Sequence, residues 1–81
     1  MLIKVLGPGC MNCTTLARRT EQAAQELNID FEMVKITDYP TIAAYGVLKT
    51  PALVVDEKMK FYGRVPTVNE LKEILSKEVN L

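Results

Sequence analysis

The chain has no histidine, no tryptophan and only two cysteines among its 81 residues. Without histidine or a further cysteine, one chain cannot close a four-ligand zinc site built from those residues. Small secreted domains that lack a core staple themselves with four, six or eight cysteines, and a pair is too few for that framework. Excess charge is missing too: ten basic and ten acidic residues cancel, and the pI is near 6.2. Nucleic acids and anionic membranes are bound through clustered Lys and Arg, a footprint this chain lacks. No apolar run is long enough to cross a bilayer, and the opening MLIKVLGPG is too short for a secretory leader. A cytoplasmic protein is expected, with neither nucleic acid nor membrane as partner.

What is present reads as one domain, residues 1–81, of ordinary 48% hydrophobic content. LIKVL, Leu2 to Leu6, is a short apolar strand ended by Gly7-Pro8-Gly9. From Met11 the period changes. Cys13, Leu16, Ala17, Thr20, Ala23, Ala24 and Leu27 recur at helical steps along one face, and Asn28 is placed to stop the helix. IDFEMVKI alternates as a second strand. Asp38 can cap a short helix through Tyr45, with Pro40 in its first turn and Gly46 beyond its end. ALVV, Ala52 to Val55, is apolar on both faces and predicts a buried strand, with Asp56-Glu57 as the turn into an antiparallel KMKFYG. Thr67 and Glu70 are spaced as a capping box for a last helix whose apolar face is Val68, Leu71, Ile74, Leu75 and Val79.

The order β-α-β-α-β-β-α predicts an α/β fold. Two strands joined through a long helix pair in parallel, and two joined by a tight turn pair antiparallel, giving a four-stranded mixed sheet with helices on both faces. Ligands of such sheets sit outside the carboxyl ends of the parallel strands, which is where the first strand delivers Cys10.

A disulfide between Cys10 and Cys13 would close a tiny loop and make a poor staple, so the pair points to chemistry. Cys10 precedes the helix, where free N–H groups and the macrodipole favour an anion and lower a thiol pKa from about 8.5. Cys13 lies on the apolar face and is sheltered. An exposed attacker and a sheltered resolver are what thiol–disulfide exchange needs. Met11, beside Cys10, offers an adaptable apolar surface to a substrate. Gly7-Pro8-Gly9 turns the chain, and Pro51 reads on its own as a trans proline opening a strand. Lys4 is odd in a central strand: either it snorkels from the strand edge to water, or its charge lies under the sulfurs and favours a thiolate. The rival reading is a small carrier binding copper(I) or zinc through Cys10 and Cys13, two soft ligands on one loop.

Strand, Cys10-x-x-Cys13 opening a helix, Thr50-Pro51 before a hairpin, then a final helix: together these resemble the thioredoxin superfamily. More narrowly, the chain resembles the small glutaredoxin-like thioredoxins of prokaryotes, also called redox-active disulfide proteins. The resemblance implies that Cys10 is the nucleophile and Cys13 the resolving thiol, with no cofactor beyond their disulfide. It implies a cis Pro51 packed against that pair, Thr50 offering backbone groups to an extended substrate, and Gly63 beside the substrate groove. Disulfide-containing target proteins and a thioredoxin-reductase-type electron donor are the implied partners, and a monomer is expected. The departures are specific. Thioredoxins proper carry Trp before the first Cys, Gly-Pro between the two, and a buried acid six residues upstream; here stand Gly9, Met11-Asn12 and Lys4. The Pro-Tyr pair and Gly-Gly turn of glutathione-using glutaredoxins are also absent, which disfavours glutathione as reductant.

Overall fold

Leu2–Leu6 forms β1 and lies inside the sheet, paired on one side with β2 (Glu32–Ile36) and on the other with β3 (Ala52–Val55) in the computed structural model. The strand order is β2-β1-β3-β4, with β4 spanning Lys58–Tyr62. β1 and β2 are parallel, whereas β3 runs antiparallel to both β1 and β4. The helices are α1 (Met11–Glu26), α2 (Tyr39–Ala44) and α3 (Val68–Val79). The structure describes residues 1–79; Asn80 and Leu81, the end of the expected domain, lie outside the described residues. Among the described residues no helix is long and apolar enough to cross a membrane.

The two sheet faces carry unequal cores. Ile3, Val5, Leu53 and Val55 face α1 and α3 and pack with Leu16, Ala17, Ala23, Ala24, Leu71 and Leu75. Burying leucines such as Leu71 and Leu75 stabilises the fold by roughly 1.5–3 kcal/mol each. Leu6, Ala52 and Val54 face the other way, where only Ile42 of the short α2 is fully buried with them. This thin side also carries Lys4.

Local chemistry sets the element ends. α1 closes at Leu27, and Asn28 takes φ 55°, a left-handed conformation that asparagine tolerates better than most residues. The Asp38 carboxylate accepts from the Thr41 N–H at 3.0 Å and so caps α2. Thr67 and Glu70 form the reciprocal box at α3: the Glu70 N–H donates to Thr67 Oγ1 at 3.2 Å, and the Thr67 N–H to Glu70 Oε1 at 3.3 Å. Asp56 and Glu57 both adopt positive φ, 49° and 66°, the mirror-image turn that suits strand twist. Asp56 is further held by the Leu2 N–H, which donates to its Oδ1 at 2.7 Å.

β4 does not alternate cleanly. The register slips between Leu53 and Val54, a bulge that resets which side chains face the core. As an edge strand, β4 leaves Met59 and Tyr62 exposed, while Lys58 and Lys60 both pair with Glu78 of α3.

Candidate active site

The carboxyl end of β1 delivers Gly7 against β2, where its N–H donates to the Ile36 carbonyl at 2.8 Å. Gly9 then turns with φ +94°, a value that favours glycine, and α1 begins at Met11. Cys10 stands at the N-cap and is exposed; Cys13, one turn on, is buried among the α1 face. Their sulfurs face each other at 2.8 Å as free thiols.

The two thiols are pushed in opposite directions. Cys10 is lowered, first by the hydrogen bond from the Cys13 thiol and then by the backbone N–H groups of Cys13 and Asn12. No N–H makes a full capping bond to its sulfur, so the helix start acts on it through aligned N–H dipoles. Burial raises Cys13, and its hydrogen bond to Cys10 raises it further. The sequence pointed to the helix N-terminus as the cause of the Cys10 shift; the partner thiol is the larger cause. It follows that alkylation of reduced protein by iodoacetamide should occur at Cys10, with a half-maximal rate at a pH below the ordinary thiol range. Cys13 should react only at higher pH, as peptide mass mapping across pH 5–10 would show. Equal labelling of both sulfurs at every pH would contradict the assignment.

Gly7 has a role that turn chemistry does not reveal. A Cβ there would fall far inside contact distance of Cys13 Sγ, 3.2 Å from Cys13 Cβ and 3.7 Å from Thr50 Cβ. The resolving sulfur therefore occupies the space above Gly7, and Thr50 closes that space from the β3 side. The Thr50–Pro51 bond is cis, and Pro51 is buried. Gly63, φ +74°, donates its N–H to the Pro51 carbonyl at 2.8 Å. Its missing Cβ leaves room for the Lys49 side chain, whose Cβ would lie 3.1 Å from one at position 63. Met11 stands 82% exposed at the first position of α1. The structure thus brings Cys10, Met11, Cys13, Thr50, Pro51 and Gly63 to one end of the sheet.

The family model described as Thioredoxin domain matches residues 1–76. The chain belongs to the thioredoxin family. It is 41% identical over 76 residues to a thioredoxin of Methanothermobacter thermautotrophicus, covering 94% of this chain and 99% of that protein. A thioredoxin of Methanocaldococcus jannaschii is 39% identical over 75 residues, covering 93% and 86%. Thioredoxin 1 of Thermosipho africanus shares the fold, with a TM-score of 0.65 at 19% identity and coverage of 98% and 94%. With its Cys10–Cys13 pair, this member of the family is a thiol–disulfide oxidoreductase.

Lys4 is not part of the site. Its ammonium donates to Tyr45 Oη at 2.6 Å and to both carboxylate oxygens of Glu57, at 2.8 and 3.0 Å. Tyr45 in turn donates to Glu57 at 3.2 Å. The carboxylate first, and the tyrosine next, raise the Lys4 pKa, and Lys4 is the largest cause lowering Glu57. Lys4 does not figure among the groups that shift Cys10. The expectation that its charge favours the thiolate is corrected: β1 points Lys4 to the thin face of the sheet, where Glu57 neutralises it. Among the described residues no group of three His, Cys, Asp or Glu residues is placed to hold a metal ion.

Proposed function

We propose that the chain reduces disulfides in other proteins, with Cys10 as attacking thiolate and Cys13 as resolving thiol. The observation that carries this assignment is the opposite displacement of two sulfurs 2.8 Å apart, the exposed one toward thiolate and the buried one toward thiol. Cys10 thiolate attacks one sulfur of the target disulfide; a Cys10–target bond forms, the target S–S bond breaks, and the other target sulfur leaves as thiolate. That step consumes the negative charge that Cys13 was hydrogen-bonded to. One of the two causes holding the Cys13 pKa up is thereby removed, with burial left as the other. Cys13 then gives its proton to water or to the target sulfur already released and attacks Cys10 Sγ; the Cys10–target bond breaks, the target leaves with its second sulfur reduced, and a Cys10–Cys13 disulfide remains. Two electrons pass from the pair to the target. The coupling between the sulfurs orders the two attacks.

Met11, Thr50, Pro51 and the Gly63 strand end form the surface on which the target lies, as an extended segment alongside Thr50. A thioredoxin-reductase-type donor returns the electrons, the setting is a reducing cytoplasm, and the working unit is a monomer. Equilibration in dithiol/disulfide buffers with a chelator present, followed by alkylation and mass measurement, tests the reading. A reversible intramolecular couple is expected, with a midpoint toward the reducing end of the roughly −270 to −120 mV spanned by such proteins. Purely intermolecular or irreversible oxidation would remove the reading and leave copper(I) carriage through the same pair to be measured.

A further inference from the structure

The connections at the active-site end of the sheet, residues 7–10, 37–38, 45–51 and 63–67, contain only Asp38, Lys49 and Arg64 as charged residues. Arg64 is paired, whereas Asp38 is engaged as a helix cap with no cation beside it among the described residues. Asp38 caps α2 through Thr41, and Arg64 donates to Glu70 at 3.1 Å while its guanidinium lies 4.9 Å from the centre of the Phe61 ring. Lys49 is exposed and, like Lys35 in β2 and Lys77 in α3, makes no ion pair among the described residues, whereas Lys4, Lys58, Lys60 and Lys72 do. Asp30, Asp56 and Glu57 lie in the connections at the opposite end of the sheet. Among the connections at the end that carries the sulfurs, Lys49 is the one cation without an ion pair among the described residues.

That charge is also positioned. The Lys49 stem lies over Gly63: its Cβ, Cδ and Cγ would be 3.1, 3.5 and 3.9 Å from a Cβ at that glycine. The next residue, Thr50, abuts the pocket of Cys13, and Gly63 is tied to Pro51 through its N–H. Leu48, immediately before, is 87% exposed. A polypeptide lying alongside Thr50 therefore passes an exposed apolar side chain and a lysine whose stem packs over Gly63 and whose ammonium makes no ion pair among the described residues.

We infer that Lys49 is a specificity-determining residue, selecting target polypeptides that carry Asp or Glu beside the disulfide. The inference rests on the proposed reduction of protein disulfides and supplies its substrate class. An exposed pair of this kind acts mainly on encounter and on register, and it weakens as salt rises.

The test uses two synthetic peptides with one internal disulfide each, identical except for Glu or Lys at the positions flanking the cysteines. The reduced protein is mixed with each, and the second-order rate of disulfide transfer is read by quenching and mass measurement. The wild type should reduce the Glu-flanked peptide about 2- to 5-fold faster at low ionic strength, the scale of an exposed ion pair. Lys49→Met should level the two rates, Lys49→Glu should invert the order, and added salt should erase both preferences. An unchanged preference in Lys49→Glu would overturn the inference. So would a shifted Cys10–Cys13 midpoint in that variant with no change of preference, because the charge would then act on the sulfurs and not on the target. Failure of the wild type to reduce either peptide would remove the inference together with the function it rests on, whereas reduction of both at equal rates would remove the inference alone.

Discussion

Gly7→Ala is expected to lower disulfide-reducing activity about 10- to 100-fold, the scale on which misplacement of a reacting atom by about 1 Å acts. The added methyl must occupy the space of Cys13 Sγ. Cys13 has a single rotatable bond with which to escape, and turning it carries the sulfur away from Cys10. Otherwise the β1–α1 turn must move, against the 2.8 Å hydrogen bond that Gly7 makes to Ile36. If the sulfur turns away, the main cause of the lowered Cys10 pKa is lost and the alkylation half-point should rise toward that of an ordinary thiol. Overpacking of this kind also costs roughly 1–3 kcal/mol of stability, readable by urea denaturation. Gly9→Ala is the control. No atom outside the immediate chain lies within 4 Å of its added Cβ, so it should suffer only the backbone cost of φ +94° and spare the Cys10 titration. If Gly7→Ala kept both the activity and the low alkylation half-point, Cys13 would not depend on that space.

The cysteine variants should fail in different ways. Cys10→Ser should reduce turnover of a disulfide substrate by at least about 10³-fold, since the nucleophile is gone. Cys13→Ser should lose turnover to a similar degree, yet still attack: it should accumulate one covalent target adduct per chain, visible by mass and released by dithiothreitol. In Cys13→Ala, which removes the donor altogether, Cys10 should titrate higher than in the wild type, because the Cys13 thiol is the first cause of its lowering. An adduct on Cys10→Ser and none on Cys13→Ser would reverse the roles.

Much of this architecture is legible from local pattern. The period change at Met11, the Asp38 and Thr67–Glu70 caps and the all-buried ALVV follow from spacing and residue type alone, and each is present at its place. The exposed and buried cysteines follow from the same helical phase. What was not legible depends on residues distant in sequence. That Gly7 faces Cys13 and Thr50 requires knowing where β3 docks, because a glycine in a strand-to-helix turn reads equally well as a simple bend. The bulge at Leu53/Val54 leaves no compositional mark. Lys4 offered two readings until its partners at positions 45 and 57 were placed, and Gly63 gave no hint that it makes room for Lys49. A glycine directly after a strand, six residues before a buried cysteine on the following helix, is the signal that could have identified Gly7.

The Lys4–Tyr45–Glu57 cluster bears on any attempt to rebuild this protein toward thioredoxins proper. Their buried acid stands where Lys4 stands, so the single change Lys4→Asp would be the natural graft. Here it would set a new carboxylate on the strand face toward Glu57, and the tyrosine hydroxyl would serve two anions with one proton. Like charges on a partly enclosed face repel, and the newcomer would be driven to keep its proton. A transplanted proton relay would then be silenced by its surroundings. The acid can be installed only as an exchange of both residues, aspartate at position 4 with a cation at position 57, so that the hairpin tip changes sign when the strand does.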